Sequence, residues 1–232
     1  MGLDIAVGFL SDLKQNDPEG FSEIKEEFER LNTALVAVGL KKHEEPEDLP
    51  ESHWVSYQMW GYSGLHYLRR IAAYDALRLP LPSPGNENTD EDPVVDRYYL
   101  ELDRSPGLFK RFFGARAGSE LPFQHLMIHS DCEGYYVPQD FKNVIFPDES
   151  LEVAGAMIGS TQQLHSECRR LSELLEIPEG LDPESDDVWD AAETPSDSGE
   201  LWQIYGIETF CCVRLLRACE ISINTGSAIV FC

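Results

Sequence analysis

The chain has 232 residues, with 42 Asp plus Glu against 18 Lys plus Arg and a formal net charge of -24. Phosphate backbones and anionic lipid surfaces are gripped through Lys and Arg, so neither nucleic acid nor a membrane surface is an expected partner. The field of such a chain attracts a cation or a basic protein, although acidity also serves solubility.

Hydrophobic residues make up 42% and aromatics 10%, a globular composition. A chain of this length buries roughly 70% of its surface on folding. No run reaches the ~18 apolar residues of a membrane span. The opening MGLDIAVGFL has no basic region ahead of its apolar stretch and is interrupted by Asp4, so a signal peptide is not expected and a cytoplasmic location is. Cys132, Cys168, Cys211, Cys212, Cys219 and Cys232 show neither disulfide-framework nor zinc-ligand spacing, which predicts thiols in a reducing compartment.

Taken in chain order, Leu3, Ile5, Val7 and Phe9 alternate with Asp4, Ala6 and Gly8 and predict a first strand. Asp17-Pro18 offers a cap and a first-turn proline, Phe21, Ile24, Phe28, Leu31 and Leu35 recur at helical spacing, and Gly39 closes the helix. Residues 41–52 are a polar, proline-broken loop, and His53 to Tyr57 fits a short strand. A second helix is predicted with Ser63 as cap, Leu65, Leu68, Ala72 and Leu79 facing a core, and Pro80 as stop. The stretch from 80 to 97 and that from 178 to 199 read as acidic, proline-rich surface insertions in one domain spanning 1–232.

Further along, residues 106–113 fit a short helix, while LMIH (126–129) and YYVP (135–138) fit two strands around the turn SDCEG. Ser160 and Gln163 form a capping box ahead of Leu164, Cys168, Leu171 and Leu175, one apolar stripe ending at Pro178. A last helix starts near Ser198 and carries Trp202, Tyr205, Cys212, Leu216 and Cys219. Residues 227–232 form a strand-like tail that fits beside the first strand. The sum is an α+β fold, helix-dominated, with a small sheet joining the two terminal strands.

Three segments carry candidate sites. In the first, His129, Asp131 and Glu133 share one face if the chain is extended, and one imidazole with two carboxylates suits a divalent cation or acid–base chemistry. Against this, Asp131 and Gly134 suit the ends of a type I turn, which would scatter the three side chains. Tyr135 follows directly. Cys132, flanked by carboxylates, is a poor thiolate and hence a poor nucleophile. In the second segment, Ser63, His66 and Arg69 stand at a glycine-flanked helix start that could bind an anion through free N–H groups, or simply cap the helix and pair with surplus acids. Its GYSGLH matches no nucleotide-binding or serine-nucleophile pattern, so no cofactor is assigned. In the third, twelve acids and no Lys or Arg stand between Arg170 and Arg214, among them Asp186 and Asp187 beside Trp189. Acids around an aromatic suit a docking surface for a basic protein; the alternative is a solvated acidic loop.

MGLDIAVG, HSDCEGYYVPQDF and IGSTQQLHSECRRL resemble segments that a group of bacterial proteins of unassigned activity shares in this order. The resemblance implies a bacterial cytoplasmic origin and one continuous domain, and brings no catalytic residue. In size and acidity the chain is also similar to immunity proteins that neutralise toxins. The reading is therefore a non-catalytic binding module that docks a basic partner through its acidic face. The alternative is a small hydrolase or metal-dependent enzyme built on His129, Asp131 and Glu133, with Ser63, His66 and Arg69 opposite.

Overall fold

The computed structural model describes residues 3–61, 63–84, 89–104, 121–194, 196 and 198–231. The helix predicted over 106–113 lies outside them. The fold is α+β, helix-dominated, with one small mixed sheet.

Strand β1 (Asp4–Val7) stops where Gly8 turns the chain at φ 78°, and Phe9 opens helix α1 (Phe9–Asn16) instead of extending the strand. Gly8 is also required sterically, because a Cβ there would lie 2.8 Å from the Trp54 ring. Helix α2 (Pro18–Ala37) starts as its sequence predicts: the Asp17 carboxylate accepts the Gly20 N–H at 3.2 Å. Phe28, Leu31 and Leu35 are buried on its inner face, and Gly39 ends it at φ 82°. The polar loop after it is anchored. The Asn32 side chain bonds the His43 backbone in both directions, and buried Glu45 pairs with His43 at 2.5 Å while accepting the Ala228 N–H at 2.7 Å.

Strand β2 (Val55–Gln58) begins two residues later than predicted, since 51–53 form a 3-10 turn. Helix α3 (Ser63–Ala76) ends before Pro80: Arg78 adopts φ 56° and the Leu79 N–H closes back on the Tyr74 carbonyl. The last five residues of the excursion predicted over 80–97 begin helix α4 (Pro93–Arg104). Asp92 ties it down, accepting the Val94 N–H at 2.8 Å and the Arg70 guanidinium at 2.7 Å.

LMIH is not a strand. Its first three residues fall in helix α5 (Gln124–Ile128), with His129 extended just after it, because the half-buried Glu167 carboxylate accepts the His125 and Leu126 N–H groups at 3.0 and 2.7 Å and stabilises that helix start. YYVP does match β3 (Gly134–Val137), so SDCEG joins a helix to a strand and no hairpin forms. Strand β4 (Ile158–Ser160) leads into helix α6 (Thr161–Leu174), where Ser160 Oγ accepts the Gln163 N–H at 3.3 Å. The Gln163 side chain turns to Asp140, so the box is half made. The stripe from Leu164 to Leu175 is fully buried.

The segment read as an insertion over 178–199 contains helix α7 (Asp186–Glu193). The predicted last helix is two: α8 (Leu201–Ile204) and α9 (Gly206–Thr225), broken at Tyr205. Gly206 admits α7 at close range, since a Cβ there would sit 1.9 Å from the Ala191 carbonyl oxygen. The tail forms β5 (Ile229–Phe231) and pairs antiparallel with β1, as the sequence predicts. The sheet order is β2-β1-β5-β3-β4, antiparallel except for β3 with β4. Side chains alternate across it: Ile5, Val7, Tyr136, Ile229 and Phe231 pack towards the core of α3, α6 and α9, while Tyr135, Val137 and Val230 pack under α2.

Candidate functional site

Two segments that are distant in sequence meet at one cleft. Arg69, buried on α3, donates from Nε to the Leu126 carbonyl at 2.8 Å, from one terminal nitrogen to the His129 carbonyl at 2.6 Å, and from the other to the Asp131 carboxylate. His66, one turn earlier on the same face, reaches the second Asp131 oxygen at 3.1 Å. Burial pushes the Asp131 carboxyl up, but the His66 hydrogen bond and the Arg69 guanidinium outweigh it and hold it well below the usual carboxylate range. These three side chains and His129 border a cleft of about 580 Å³ whose other walls are α4 and the end of α5.

The set His129, Asp131 and Glu133 does not act together. The His129 ring is buried, stacked on Tyr136 with centroids 4.0 Å apart, and its nitrogens face the Ser130 and Tyr135 carbonyls. Burial pushes its pKa down to about 4, so it is neutral near pH 7. Glu133 is exposed and does not line the cleft. The chain bends through 129–133, so the two-residue alternation that would align the three is lost. Among the described residues, no three His, Cys, Asp or Glu side chains are grouped so as to hold a metal ion. Ser63 stands at the first position of α3, and its hydroxyl donates to the Trp60 carbonyl at 3.4 Å, so it neither caps by accepting an N–H nor enters the cleft. Tyr135 points to the opposite face of the sheet, its hydroxyl donating to Glu27. Cys132 is exposed; Cys168, Cys211, Cys212 and Cys219 are buried free thiols.

The acidic third is an ordered surface. Helix α7 turns Val188, Trp189 and Ala192 inward and leaves Asp186, Asp187, Asp190 and Glu193 exposed. Trp189 is therefore no docking aromatic: helical spacing puts it on the apolar side, where its indole packs edge-on against Phe210 at 4.8 Å. Fully buried Arg214 lies under it, 5.0 Å from the Trp189 ring and 3.4 Å from that of Phe210, and reaches out to Glu184 at 2.8 Å. Asp186 and Asp187 stand in the first turn of α7, where the helix dipole favours negative charge. Glu173, Glu176, Glu179, Asp182 and Glu220, with Arg169 and Arg217 among them, line a groove of about 760 Å³ between the end of α6, the following loop and α9.

A family model described as "Putative DNA-mimic protein" matches residues 1–231. The chain belongs to that family. Neither the curated proteins nor the solved structures searched contain a match. For a member of the DNA-mimic family, the ordered carboxylates of α7 and its flanks outrank the Asp131 cluster as the surface to examine, because Asp131 is neutralised from within. Among the described residues no helix is long and apolar enough to cross a membrane.

Sequence reasoning named the acids and missed what fixes them. The signals were present: Val188, Trp189 and Ala192 at helical spacing, and Arg214 as the first cation after the acidic run. The Arg69–Asp131 pair, 62 residues apart, has no local signal.

Proposed function

We propose that the protein is a non-catalytic DNA mimic: its exposed carboxylates take the place of phosphates and occupy the nucleic-acid-binding surface of a basic, DNA-binding partner. The observation that carries this reading, in a chain of the DNA-mimic family, is the carboxylate row on α7. Asp186, Asp187, Asp190 and Glu193 supply roughly one charge per 3 Å of helix axis, close to the ~3.4 Å of duplex axis per phosphate of one DNA strand. No Lys or Arg occurs between 171 and 213 to cancel them. Packing of Val188, Trp189 and Arg214 holds the row in place, as a phosphate array is held by its backbone. A loop of the same composition would lose more entropy on binding and fit less selectively.

This reading replaces a toxin with a DNA-binding protein as the general partner; a toxin that attacks DNA would be a special case. A bacterial host and a cytoplasmic location, the expectations from the sequence resemblance, suit such a partner.

The test is competition. Basic DNA-binding proteins of several kinds, a helix-turn-helix dimer and a β-ribbon protein among them, are held on labelled duplex while the acidic protein is added. Release of DNA from at least one, weakening steeply with salt as duplex binding does, is the expected result. An Asp186→Asn/Asp187→Asn/Asp190→Asn variant should need about tenfold more protein for the same release, on the scale of a few interface ion pairs. No release from any of them at low salt and excess acidic protein would sink the reading.

A further inference from the structure

We propose that the cleft between α4, α5 and Asp131 receives an arginine side chain of the partner and so supplies a selectivity that the α7 carboxylates lack. The inference rests on the mimicry reading for its partner, while its geometry stands independently. Helix α4 presents Val95, Asp96, Tyr99, Leu102 and Asp103 to the cleft, residues at the three- and four-residue spacing of one helix face. Met127 and Ile128 of α5 form the facing wall, and Phe146, 44% exposed, stands at the edge. The volume of about 580 Å³ has room for an extended side chain and part of its backbone.

The polar groups of the cleft divide into two sets. Asp131 is occupied by Arg69 and His66, and the Tyr99 hydroxyl donates to the Met127 carbonyl at 2.8 Å. Arg69 is itself used up by two carbonyls and Asp131. By contrast Asp96 and Asp103 are exposed, and their carboxylates have no hydrogen-bond or ion-pair partner among the described residues. An apolar slot with a carboxylate at either end, about 10 Å apart along α4 and unpartnered among the described residues, matches a side chain with an apolar stem and a cationic head that one of them can take. Arginine fits better than lysine. Its guanidinium is planar and weakly hydrated, and it offers paired donors to carboxylates. It is also the side chain that DNA-binding proteins direct at phosphates and at guanine, and one enriched at the energetic centres of interfaces.

The α7 row attracts any basic surface, whereas this cleft would take one side chain in one place. Binding can be read on the isolated protein by titrating N-acetyl-argininamide and following backbone amide shifts by NMR, with N-acetyl-lysinamide and N-acetyl-norleucinamide as comparators. Saturable shifts confined to residues 95–103 and 126–131 are expected for the arginine probe. The lysine probe should bind at least fivefold more weakly, and norleucine should give no response. Asp96→Asn/Asp103→Asn, changes at exposed positions, should weaken the arginine response at least fivefold; Asp186→Asn/Asp187→Asn should leave it unchanged. Shifts spread along α7, equal binding of lysine, or an unaltered response in the Asp96/Asp103 variant would overturn the assignment. A flat titration beside successful DNA displacement removes the cleft and keeps the mimicry; a localised titration without displacement does the reverse.

Discussion

Asp131 and the Asp186–Asp187 pair carry the same group into opposite surroundings. Asp131 is half-buried and held by Arg69 and His66, so its charge is cancelled before any partner arrives. Asp186 and Asp187 stand in solvent on a helix whose apolar side is locked into the core, and nothing nearby in sequence offsets them. The difference follows from burial. A guanidinium inside the protein must have partners, because taking a charge out of water costs more than the fold can otherwise supply. An exposed carboxylate carries no such demand. The charges that hold this molecule together and those it presents outward are therefore separate sets, and substitution should tell them apart.

The largest effect is expected at Arg69. Arg69→Ala strips three hydrogen bonds from the α3–α5 junction and should cost about 3–5 kcal/mol in urea unfolding. A loss below about 1 kcal/mol would mean that the Asp131 cluster is not structural, and the contrast with α7 would collapse. Arg214 comes next. Arg214→Ala leaves a void between Trp189 and Phe210 and should cost about 2–4 kcal/mol. Arg214→Met fills that space and should stay within about 1.5 kcal/mol of the parent, because Nε of Arg214 is buried without a partner and Glu184 remains in solvent.

A third measurement sharpens the contrast with an acid of neither kind. Glu167 is half-buried at the α5–α6 contact and pairs with no cation among the described residues. Burial pushes its pKa up to about 8 from an ordinary 4.5, against the pull of the His125 and Leu126 N–H groups. The folded state thus holds a proton that the unfolded chain has released, and the contribution of Glu167 to stability falls as pH rises from 4.5 through 8, opposed below about 6.5 by buried neutral His129. Buried Glu208, raised to about 7, adds to the same slope. Glu167→Gln should flatten the decline between pH 6.5 and 8, a range above the ordinary value of His129; an unchanged slope would show that Glu167 stays ionised in the fold. The smallest effect on stability belongs to α7. Asp186→Lys/Asp187→Lys should cost no more than about 1–2 kcal/mol, the loss of favourable dipole contacts, while abolishing most of the competition with DNA. If it unfolds the protein instead, those acids are part of the scaffold.

What could be read from the sequence was whatever is encoded within a few residues. Asp17-Pro18 and Ser160 mark helix starts through their own caps, and the stripe from Leu164 to Leu175 shows its burial by spacing. The tail strand was legible because residues 228–231 are apolar and short. Misreadings arose where a distant group decides. Glu167 turns residues 124–128 into a helix from 42 residues away, and Trp54 leaves no room for a side chain at Gly8. At the candidate site the acids were plain in the sequence. That Trp189 faces inward, and that Asp131 is taken by Arg69, depends on packing between elements that no local pattern specifies.

The position of β5 has a consequence for synthesis. It lies in the middle of the sheet and, among the described residues, joins the β2–β1 ribbon to the β3–β4 pair. A ribosome reaches residue 231 about ten seconds or more after it has made β1, at typical elongation rates. Until then β1, and β3 once it has been made, each lack the neighbour on one edge, and isolated two-stranded units are marginal in water. The sheet can close only after that segment is translated, and like-charge repulsion from the excess of acids opposes edge-to-edge contact between neighbouring chains in the meantime.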